Sequence, residues 1–382
     1  MADLEHQYLM GTFKRLPVTL VSGHGVRVVD DRGREYLDLV AGIAVNLLGH
    51  AHPAIAEAVA DQSRTLVHTS NLYFTEPQVR LAQKLVELSF PSRAFFCNSG
   101  AEANECAIKI ARKWGKLNRG GAHEVISVSG AFHGRTLATV AATGNHKYSD
   151  PFEPVPAGFV HVPFDDLQAL REATSARTAA VLLEPVQGES GVHVPSPGYL
   201  EAVRSWCDDQ NLLLILDEVQ SGLGRTGRWF AFQHAGVIPD VMTLAKGLGG
   251  GVPIGACLAG PRADVLEPGD HGSTFGGNPL ACTAALAVLR TIEEQGLVGH
   301  AAEMEGLLRE ELASLSGVAE VRGVGLMQAV QFAEPVAKAF QGRCLEEGLI
   351  VNAVDDHSIR LVPPLILGPQ DIVEAGEKMR AA

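Results

Sequence analysis

Leu212-Leu-Leu-Ile-Leu-Asp217 and Asp240-Val-Met-Thr-Leu-Ala-Lys246 are two apolar runs that each end on a charged side chain. A strand that is buried on both faces of a parallel sheet has this kind of continuous apolar sequence. The second run is followed at once by 247–251 (Gly-Leu-Gly-Gly-Gly). Binding sites in open α/β sheets collect at the carboxyl ends of the strands, so the two runs predict that Asp217 and Lys246 face one site.

The lysine and the aspartate suit one kind of cofactor chemistry. A lysine amine can form a Schiff base with a carbonyl, and an aspartate can keep a ring nitrogen protonated. These are the two groups that a pyridoxal phosphate (PLP) enzyme needs. Each residue also has an ordinary interpretation, because Asp217 could be a helix N-cap and Lys246 a solvated loop residue. The two positions alone leave both interpretations open.

The composition limits the size class and the partners of the chain. With 382 residues, the chain exceeds one ordinary domain, so we expect one large and one smaller domain. The net charge of −13 disfavours a nucleic-acid or anionic-membrane partner. No secretory signal and no apolar stretch of membrane-spanning length are seen, so we expect a cytoplasmic protein. The six scattered cysteines predict buried, reduced thiols.

Strand-like and helix-like segments alternate through the middle of the chain. Residues 94–97, 124–128 and 178–183 resemble strands, and residues 101–114 and 197–209 resemble helices. This alternation predicts βαβ units, and therefore an α/β fold whose large sheet is mostly parallel, with helices on both faces.

The order of predicted helices and strands changes after residue 278. Two helices are predicted over 279–294 and 300–314, followed by two strand-like runs and one further helix. We therefore expect a smaller α/β domain that the two ends of the chain build together. The predicted organisation is an N-terminal segment packed on the small domain (1–50), a large domain (51–275) and a C-terminal small domain (276–382).

Two loops have the residue types of a phosphate and carboxylate site. In 98–104 (Asn-Ser-Gly-Ala-Glu-Ala-Asn), small residues would let the N–H groups of a helix N-terminus approach a phosphate. An ordinary capped helix start explains the same residues. In 131–136 (Ala-Phe-His-Gly-Arg-Thr), Phe132 could lie on a planar ring and Arg135 could bind a carboxylate, although core packing and a surface ion pair are the alternatives. His133 is expected to stack or to hydrogen-bond rather than to act as a base.

Other motifs in the chain are weaker. Residues 222–227 (Gly-Leu-Gly-Arg-Thr-Gly) fit the G-x-G-x-x-G pattern of nucleotide sites, but no clear crossover helix follows them. Lys246 is not preceded by the glycine pattern of a Walker motif. His50 and His52 have no further ligand cluster, so the sequence predicts no metal site.

The ordered set of motifs resembles the class III (ω-amino) PLP aminotransferases over nearly the whole chain. Each motif alone is only moderately specific, whereas the ordered set is highly specific. The matching segments are 42–46, 49–53, 98–104, 131–136, 183–189, 216–227, 244–251 and 272–279.

The resemblance implies a fold-type I enzyme that forms a homodimer with shared active sites. It implies that Lys246 attaches PLP covalently and that Asp217 binds its ring nitrogen. The other implied cofactor contacts are Gln220 at the ring hydroxyl, Phe132 on the ring, Gly100 and Ala101 at the phosphate, and Thr274 at the phosphate from the second subunit. The implied substrate contacts are Arg135 at a carboxylate, Ser273 near it, Arg360 as a second carboxylate-binding arginine, and Glu189 as the acid that covers Arg360.

The resemblance also implies the substrates. The expected amine donor is N2-acetyl-L-ornithine, with 2-oxoglutarate as acceptor, in arginine biosynthesis. Enzymes of this class that use free ornithine carry a tyrosine near the place of Gly42 and Ile43, and this chain has none there. Succinylornithine, succinyl-diaminopimelate, ornithine and 4-aminobutyrate remain alternative donors. A PLP aminomutase, or a binding protein with a nucleotide at residues 222–227, would be a different class of protein.

Overall fold

The computed structural model of the chain describes residues 2–382. Fifteen strands lie in this part of the chain. They are β1 Leu20–His24, β2 Arg27–Asp30, β3 Glu35–Asp38, β4 Arg93–Cys97, β5 Glu124–Val128, β6 Phe159–Val162, β7 Thr178–Leu183, β8 Leu213–Asp217, β9 Val241–Leu244, β10 Gly255–Ala259, β11 Val318–Val324, β12 Met327–Phe332, β13 Leu349–Ile350, β14 Asn352–Ala353 and β15 Ser358–Leu361.

Fourteen α-helices lie in the same described residues. They are α1 Ala2–Tyr8, α2 Ala41–Ala44, α3 Pro53–Thr65, α4 Glu76–Leu88, α5 Gly100–Asn118, α6 Leu137–Thr143, α7 His146–Ser149, α8 Leu167–Ala173, α9 Tyr199–Asp209, α10 Phe232–Ala235, α11 Pro279–Glu294, α12 Leu297–Ala313, α13 Ala337–Glu346 and α14 Pro369–Ala381. Short 3₁₀ turns occupy Asp150–Phe152 and Lys246–Gly249.

A seven-stranded sheet forms the centre of the molecule, with strand order β4-β10-β9-β8-β7-β5-β6. The pairs among β9, β8, β7, β5 and β6 are parallel, and only β10 runs antiparallel to its two neighbours. Every residue of β7, β8 and β9 is buried, as expected for central strands that are covered on both faces. The predicted α/β fold with a mostly parallel sheet is therefore confirmed.

The ends of the chain build two four-stranded sheets. The N-terminal strands form the order β1-β2-β3-β13, in which β3 pairs in parallel with β13 from the C-terminal part. Arg27 of β2 also forms ion pairs with Asp371 and Glu374 of α14, at 3.2 and 2.6 Å. The second sheet has the order β11-β12-β15-β14. The N-terminal and C-terminal segments are thus joined, while the domain boundaries at 50 and 275 stay predictions.

The C-terminal part differs from the sequence expectation in two respects. Helix α12 begins at Leu297, three residues earlier than predicted, and the structure has one more helix, α13, and more strands than the two predicted runs. Helix α13 is short and buries only Ala337, Phe340 and Cys344, so its apolar periodicity is weak.

The weaker motifs have structural explanations. The glycine motif at 222–227 leads into turns and the four-residue helix α10, and Arg225 within it is buried against the carbonyls of Leu326 and Pro363. His50 Nε2 lies 2.8 Å from Asp38 Oδ2, and His52 caps helix α3. Residues 2–382 contain no group of three or more His, Cys, Asp or Glu side chains placed to hold a metal ion.

Two further features of the fold concern the burial of the cysteines and the length of the helices. All six cysteines are buried with free thiols, as the sequence predicts. None of the helices between residues 2 and 382 combines the length and the apolar character needed to cross a membrane.

Candidate active site

A cavity of about 430 Å³ opens at the carboxyl edge of the central sheet. This volume is typical of small-molecule sites. The loops that follow β4, β5, β7, β8 and β9 line it, because six of the seven strands end at this edge. The sequence-predicted residues that line the cavity are Gly100, Ala101, Phe132, Arg135, Asp217, Gln220 and Lys246.

Lys246 follows β9 in a backbone conformation that side chains rarely adopt. Its φ angle is +40°, which is a strained value for a residue other than glycine. The next residue, Gly247, has no room for a side chain, since a Cβ atom there would lie 2.4 Å from Leu47. Burial, followed by the positive charge of Arg360, lowers the pKa of the Lys246 amine to about 8. A larger share of this amine is therefore neutral and nucleophilic near neutral pH than for an exposed lysine.

Asp217 is the last residue of β8 and is 3% exposed. Its Oδ2 accepts a hydrogen bond from Asn104 Nδ2 at 2.7 Å and lies 2.8 Å from His133 Nδ1. Its Oδ1 accepts from the backbone N–H of Val219 at 3.0 Å. Two N–H donors and the His133 ring thus surround this one buried carboxylate.

The start of helix α5 provides unpaired N–H donors. Ser99 caps the helix, because its hydroxyl accepts from Glu102 N at 3.2 Å and its carbonyl accepts from Ala103 N at 3.1 Å. The N–H groups of Gly100 and Ala101, in the first turn, are left for a ligand. A Cβ atom at Gly100 would lie 3.0 Å from a methyl group of Val219, so glycine keeps this end of the helix open. An anionic group such as a phosphate suits this position.

Arg135 lies beside two aromatic rings at the cavity. Its guanidinium carbon is 4.0 Å from the centre of the Tyr148 ring and 5.3 Å from that of Phe132. The two rings pack edge to face, with 5.9 Å between their centres. Arg135 is exposed, so its charge is available to a carboxylate that enters the cavity.

A partly buried ion pair joins the loop after β7 to the C-terminal sheet. Arg360, which is 1% exposed, donates from Nη1 to Glu189 Oε2 at 2.8 Å. The same guanidinium donates to Gly188 O at 3.2 Å, to Gln220 Oε1 at 3.3 Å and to Asn352 Oδ1 at 2.7 Å. Burial opposes ionisation of Glu189, but the charge and hydrogen bond of Arg360 keep the pKa of that carboxyl below its ordinary value.

Ser273 and Thr274 do not enter the cavity within one chain. The Ser273 hydroxyl accepts from Asn98 Nδ2 at 3.2 Å and from Gly276 N at 3.0 Å. Both residues line a separate open groove of about 820 Å³, together with Leu72 and other residues. Ser273 is thus next to the cavity wall through Asn98, but neither Ser273 nor Thr274 lines the cavity.

Known proteins are similar to this chain over nearly its whole length. A sequence model described as aminotransferase class-III matches residues 11–382. The chain belongs to the class III aminotransferases. It is 52% identical over 377 residues to an acetylornithine aminotransferase of Methanocaldococcus jannaschii, covering 97% of this chain and 94% of that protein. It is 49% identical over 380 residues to one of Caldanaerobacter subterraneus, covering 98% and 97%.

Solved structures agree with this class III aminotransferase fold. An N-acetylornithine aminotransferase of Stenotrophomonas maltophilia has a TM-score of 0.86 at 38% identity, covering 100% of this chain and 98% of that one. An ornithine aminotransferase of Toxoplasma gondii has a TM-score of 0.94 at 34% identity, covering 99% and 93%. A second structure of that Toxoplasma enzyme is described with partial occupancy of PLP at its active site.

PLP is the cofactor of class III aminotransferases, and this cavity fits it. The helix N-terminus at Gly100 and Ala101 suits the phosphate, and the buried carboxyl group of Asp217 suits a protonated ring nitrogen. Lys246 presents its partly neutral amine to the same cavity. The chain is therefore a PLP-dependent aminotransferase.

The sequence predicted no role for Asn104, Tyr148 or Glu184 at this aminotransferase site, whereas it predicted that His133 would stack or hydrogen-bond. Asn104 and His133 bind Asp217, Tyr148 packs on Arg135, and Glu184 accepts from Phe132 N at 2.9 Å and from Gly188 N at 3.0 Å. Burial, followed by the negative charge of Asp217, raises the pKa of Glu184 to about 7. Asn104 and Glu184 lie inside the segments that carry the resemblance, but only their contacts indicate what they do.

Proposed function

We propose that this aminotransferase moves the δ-amino group of N2-acetyl-L-ornithine to 2-oxoglutarate, giving N-acetylglutamate 5-semialdehyde and L-glutamate. The observation that carries this proposal is the Glu189–Arg360 ion pair, which a hydrogen bond from Arg360 to Gln220 connects to the wall of the cavity of Lys246 and Asp217. Curated relatives of about half identical sequence, named acetylornithine aminotransferases, support the choice of donor. We place the reaction in the cytoplasm, as part of arginine biosynthesis.

Two residues of the proposed site carry the chemistry. Bound PLP withdraws electrons from the substrate carbon that loses its proton. Asp217 would hold the ring nitrogen protonated, because its buried carboxylate presents negative charge at the cavity wall. Lys246, whose pKa is lowered to about 8, would attach the cofactor and then carry the proton away from the substrate carbon and back to the cofactor.

Neighbouring residues of the cavity would hold the cofactor and the donor. Gly100 and Ala101 would bind the phosphate through their N–H groups, Phe132 would lie on the ring, and Gln220 would contact the ring hydroxyl. Arg135 would bind the carboxylate of the amine donor, since it is the exposed cation of the cavity.

The Glu189–Arg360 pair would let one site accept two unlike substrates. With the amine donor bound, Glu189 neutralises Arg360, so the arginine does not attract a second carboxylate. With 2-oxoglutarate, Glu189 would swing away and Arg360 would bind the carboxylate next to the keto group. Arg360 keeps Gly188 O, Gln220 and Asn352 as partners, so it would stay in place when Glu189 leaves. The side chain of Glu189 is 34% exposed, which leaves it room to move.

We also propose a homodimer that shares its active sites. Large apolar side chains stand exposed beside the groove of Ser273 and Thr274, among them Leu72, Phe74 and Phe275. Phe74 is fully exposed in the single chain, which is unusual for a residue of this size. A second copy would cover these side chains and could bring Ser273 to the substrate and Thr274 to the phosphate of its partner.

A survey of half-reactions tests the proposed substrate. The PLP-loaded protein is mixed with single amines, the change in visible absorbance is followed, and the aldehyde product is identified by mass spectrometry. Acetylornithine should give the largest kcat/KM, and 2-oxoglutarate should restore the starting spectrum. A larger kcat/KM for succinylornithine, free ornithine or 4-aminobutyrate would show that this compound, and not acetylornithine, is the amine donor. Product formed without any 2-oxo acid would indicate an aminomutase.

A further inference from the structure

A chain of buried hydrogen bonds reaches Asp217 from the neighbouring strand β9. The hydroxyl of Thr243 donates to Asn104 Oδ1 at 2.8 Å. Asn104 Nδ2 donates to Asp217 Oδ2 at 2.7 Å and to the backbone carbonyl of His133 at 2.8 Å. Thr243, Asn104 and Asp217 are all buried. The amide of Asn104 thus uses both of its N–H bonds and its oxygen, and it connects helix α5 to two strands and one loop.

The chemistry of the partners fixes which way the Asn104 amide points. A carboxylate oxygen and a backbone carbonyl can only accept hydrogen bonds, so the nitrogen of the amide must face Asp217 and His133. The amide oxygen must then face Thr243, whose hydroxyl supplies the proton. Without that hydroxyl, a buried amide oxygen would have no donor, which destabilises the whole arrangement.

The same bonds determine which part of the Asp217 carboxylate remains free. An ionised carboxylate offers about four acceptor positions, two on each oxygen. Asn104 and His133 occupy both positions on Oδ2, and Val219 N occupies one on Oδ1. The remaining position is therefore on Oδ1. Glu184 does not compete for these donors, because its own oxygens accept backbone N–H groups.

We propose that Asn104, held by Thr243, is a positioning residue that keeps Oδ2 of Asp217 turned inward and presents Oδ1 to the ring nitrogen of PLP. The proposal rests on the role proposed for Asp217 in binding that nitrogen. A carboxylate that is oriented before the cofactor binds does not have to reorganise, and this preorganisation strengthens both cofactor binding and the electrostatic effect on the ring.

Three variants and one control test this positioning role. Thr243→Val keeps the shape of the side chain and removes the hydroxyl, whereas Thr243→Ser keeps the hydroxyl. Asn104→Ala removes the whole amide. Thr291→Val is the matched control, because Thr291 is a buried threonine of α11 whose hydroxyl donates to Ala287 O, outside the cavity. The dissociation constant for PLP is measured by equilibrium dialysis of the cofactor-free proteins, and Tm is measured in parallel.

Loss of the Thr243 hydroxyl should weaken PLP binding by about tenfold, since the buried bond that orients the charged acceptor is broken. Thr243→Ser should stay within about twofold of wild type. Asn104→Ala should lose more PLP affinity than Thr243→Val. In both variants, kcat for the donor half-reaction should fall while KM is unchanged. Thr291→Val should lower Tm without changing PLP affinity. If Asn104→Ala does not fold, the comparison of Thr243→Val with Thr243→Ser still tests the positioning role.

The positioning role would be wrong if Thr243→Val bound PLP as tightly as wild type, or if Thr243→Ser and Thr291→Val lost as much affinity as Thr243→Val. The result is separate from the proposed substrate. If the wild-type protein prefers another amine, the proposed donor is wrong, but Thr243→Val should still weaken PLP binding. A wild-type protein that prefers acetylornithine, with no effect of Thr243→Val, overturns only the positioning role.

Discussion

Replacing Glu189 with alanine should change which amino acid the enzyme prefers. Among the residues that the structure describes, Glu189 is the only charged partner of Arg360, and the three remaining contacts are neutral oxygens of Gly188, Gln220 and Asn352. The Glu189→Ala variant would therefore keep Arg360 in place but leave a desolvated cation without a counter-charge. Such a cation attracts any carboxylate that reaches it. The α-carboxylate of glutamate would no longer have to displace Glu189.

The size of the effect follows from the Glu189–Arg360 contact. A hydrogen bond to a charged group contributes about 1.5–3 kcal/mol. Because the Glu189 side chain is 34% exposed, solvent screens the pair and the lower end of that range applies. About 1.5 kcal/mol corresponds to about a tenfold change in a rate or binding constant. The ratio of kcat/KM for glutamate to kcat/KM for acetylornithine should therefore rise about tenfold.

The assay measures each half-reaction separately, in single turnovers followed through the absorbance of the bound cofactor. Glu189→Gln keeps most of the side chain and removes its charge, so it should shift the ratio in the same direction. Glu293→Ala is the matched control, because it removes an acid that pairs with Lys84 at 2.8 Å outside the cavity. Arg360→Ala should slow the 2-oxoglutarate half-reaction more than the acetylornithine half-reaction. Equal losses in both half-reactions for the Glu189→Ala and Arg360→Ala variants would refute the switch.

Three further predictions concern the cofactor and the assembly. Borohydride reduction should fix PLP to the peptide of Lys246, and covalent attachment of PLP to the cofactor-free protein should speed up as pH rises through about 8, because burial lowers the pKa of this amine; a midpoint near that of an exposed lysine would contradict the assignment. Asp217→Asn should raise the barrier by about 3–4 kcal/mol, on the scale of other electrostatic catalytic groups, so a variant with near-wild-type kcat would disprove the role of the charge. Mixing Lys246→Ala with Thr274→Ala protomers should restore activity in heterodimers, and no gain after proven subunit exchange would argue for self-contained sites.

Several features of the fold could be predicted because they depend on local sequence. The runs that end at Asp217 and Lys246 contain the strands β8 and β9, in which every residue is buried and nearly every residue is apolar. The direction of β10 could not be predicted, because an apolar run carries no information about whether its neighbours are parallel. The helix α13 was missed for a related reason, since a short helix with three buried residues has little periodicity.

The candidate site was partly predictable from the ordered motifs of the sequence. The resemblance placed Glu189 with Arg360, and the structure brings these residues into contact although they lie 171 positions apart. It also placed Ser273 and Thr274 at the site, whereas a single chain leaves both in another groove. Their role stays a prediction that depends on a second copy of the chain.

The sequence by itself determined the alternation of strands and helices, the charged residues at strand ends and the family of the chain. These are properties of local apolar pattern and of ordered motifs. Only the tertiary structure decided the environment of those residues. Asn104 and His133 lie 113 and 84 positions from Asp217 along the chain, yet both bind the same oxygen. Hydrogen-bond partners depend on which strand ends meet at one edge of the sheet, and that arrangement is fixed by packing of the whole chain.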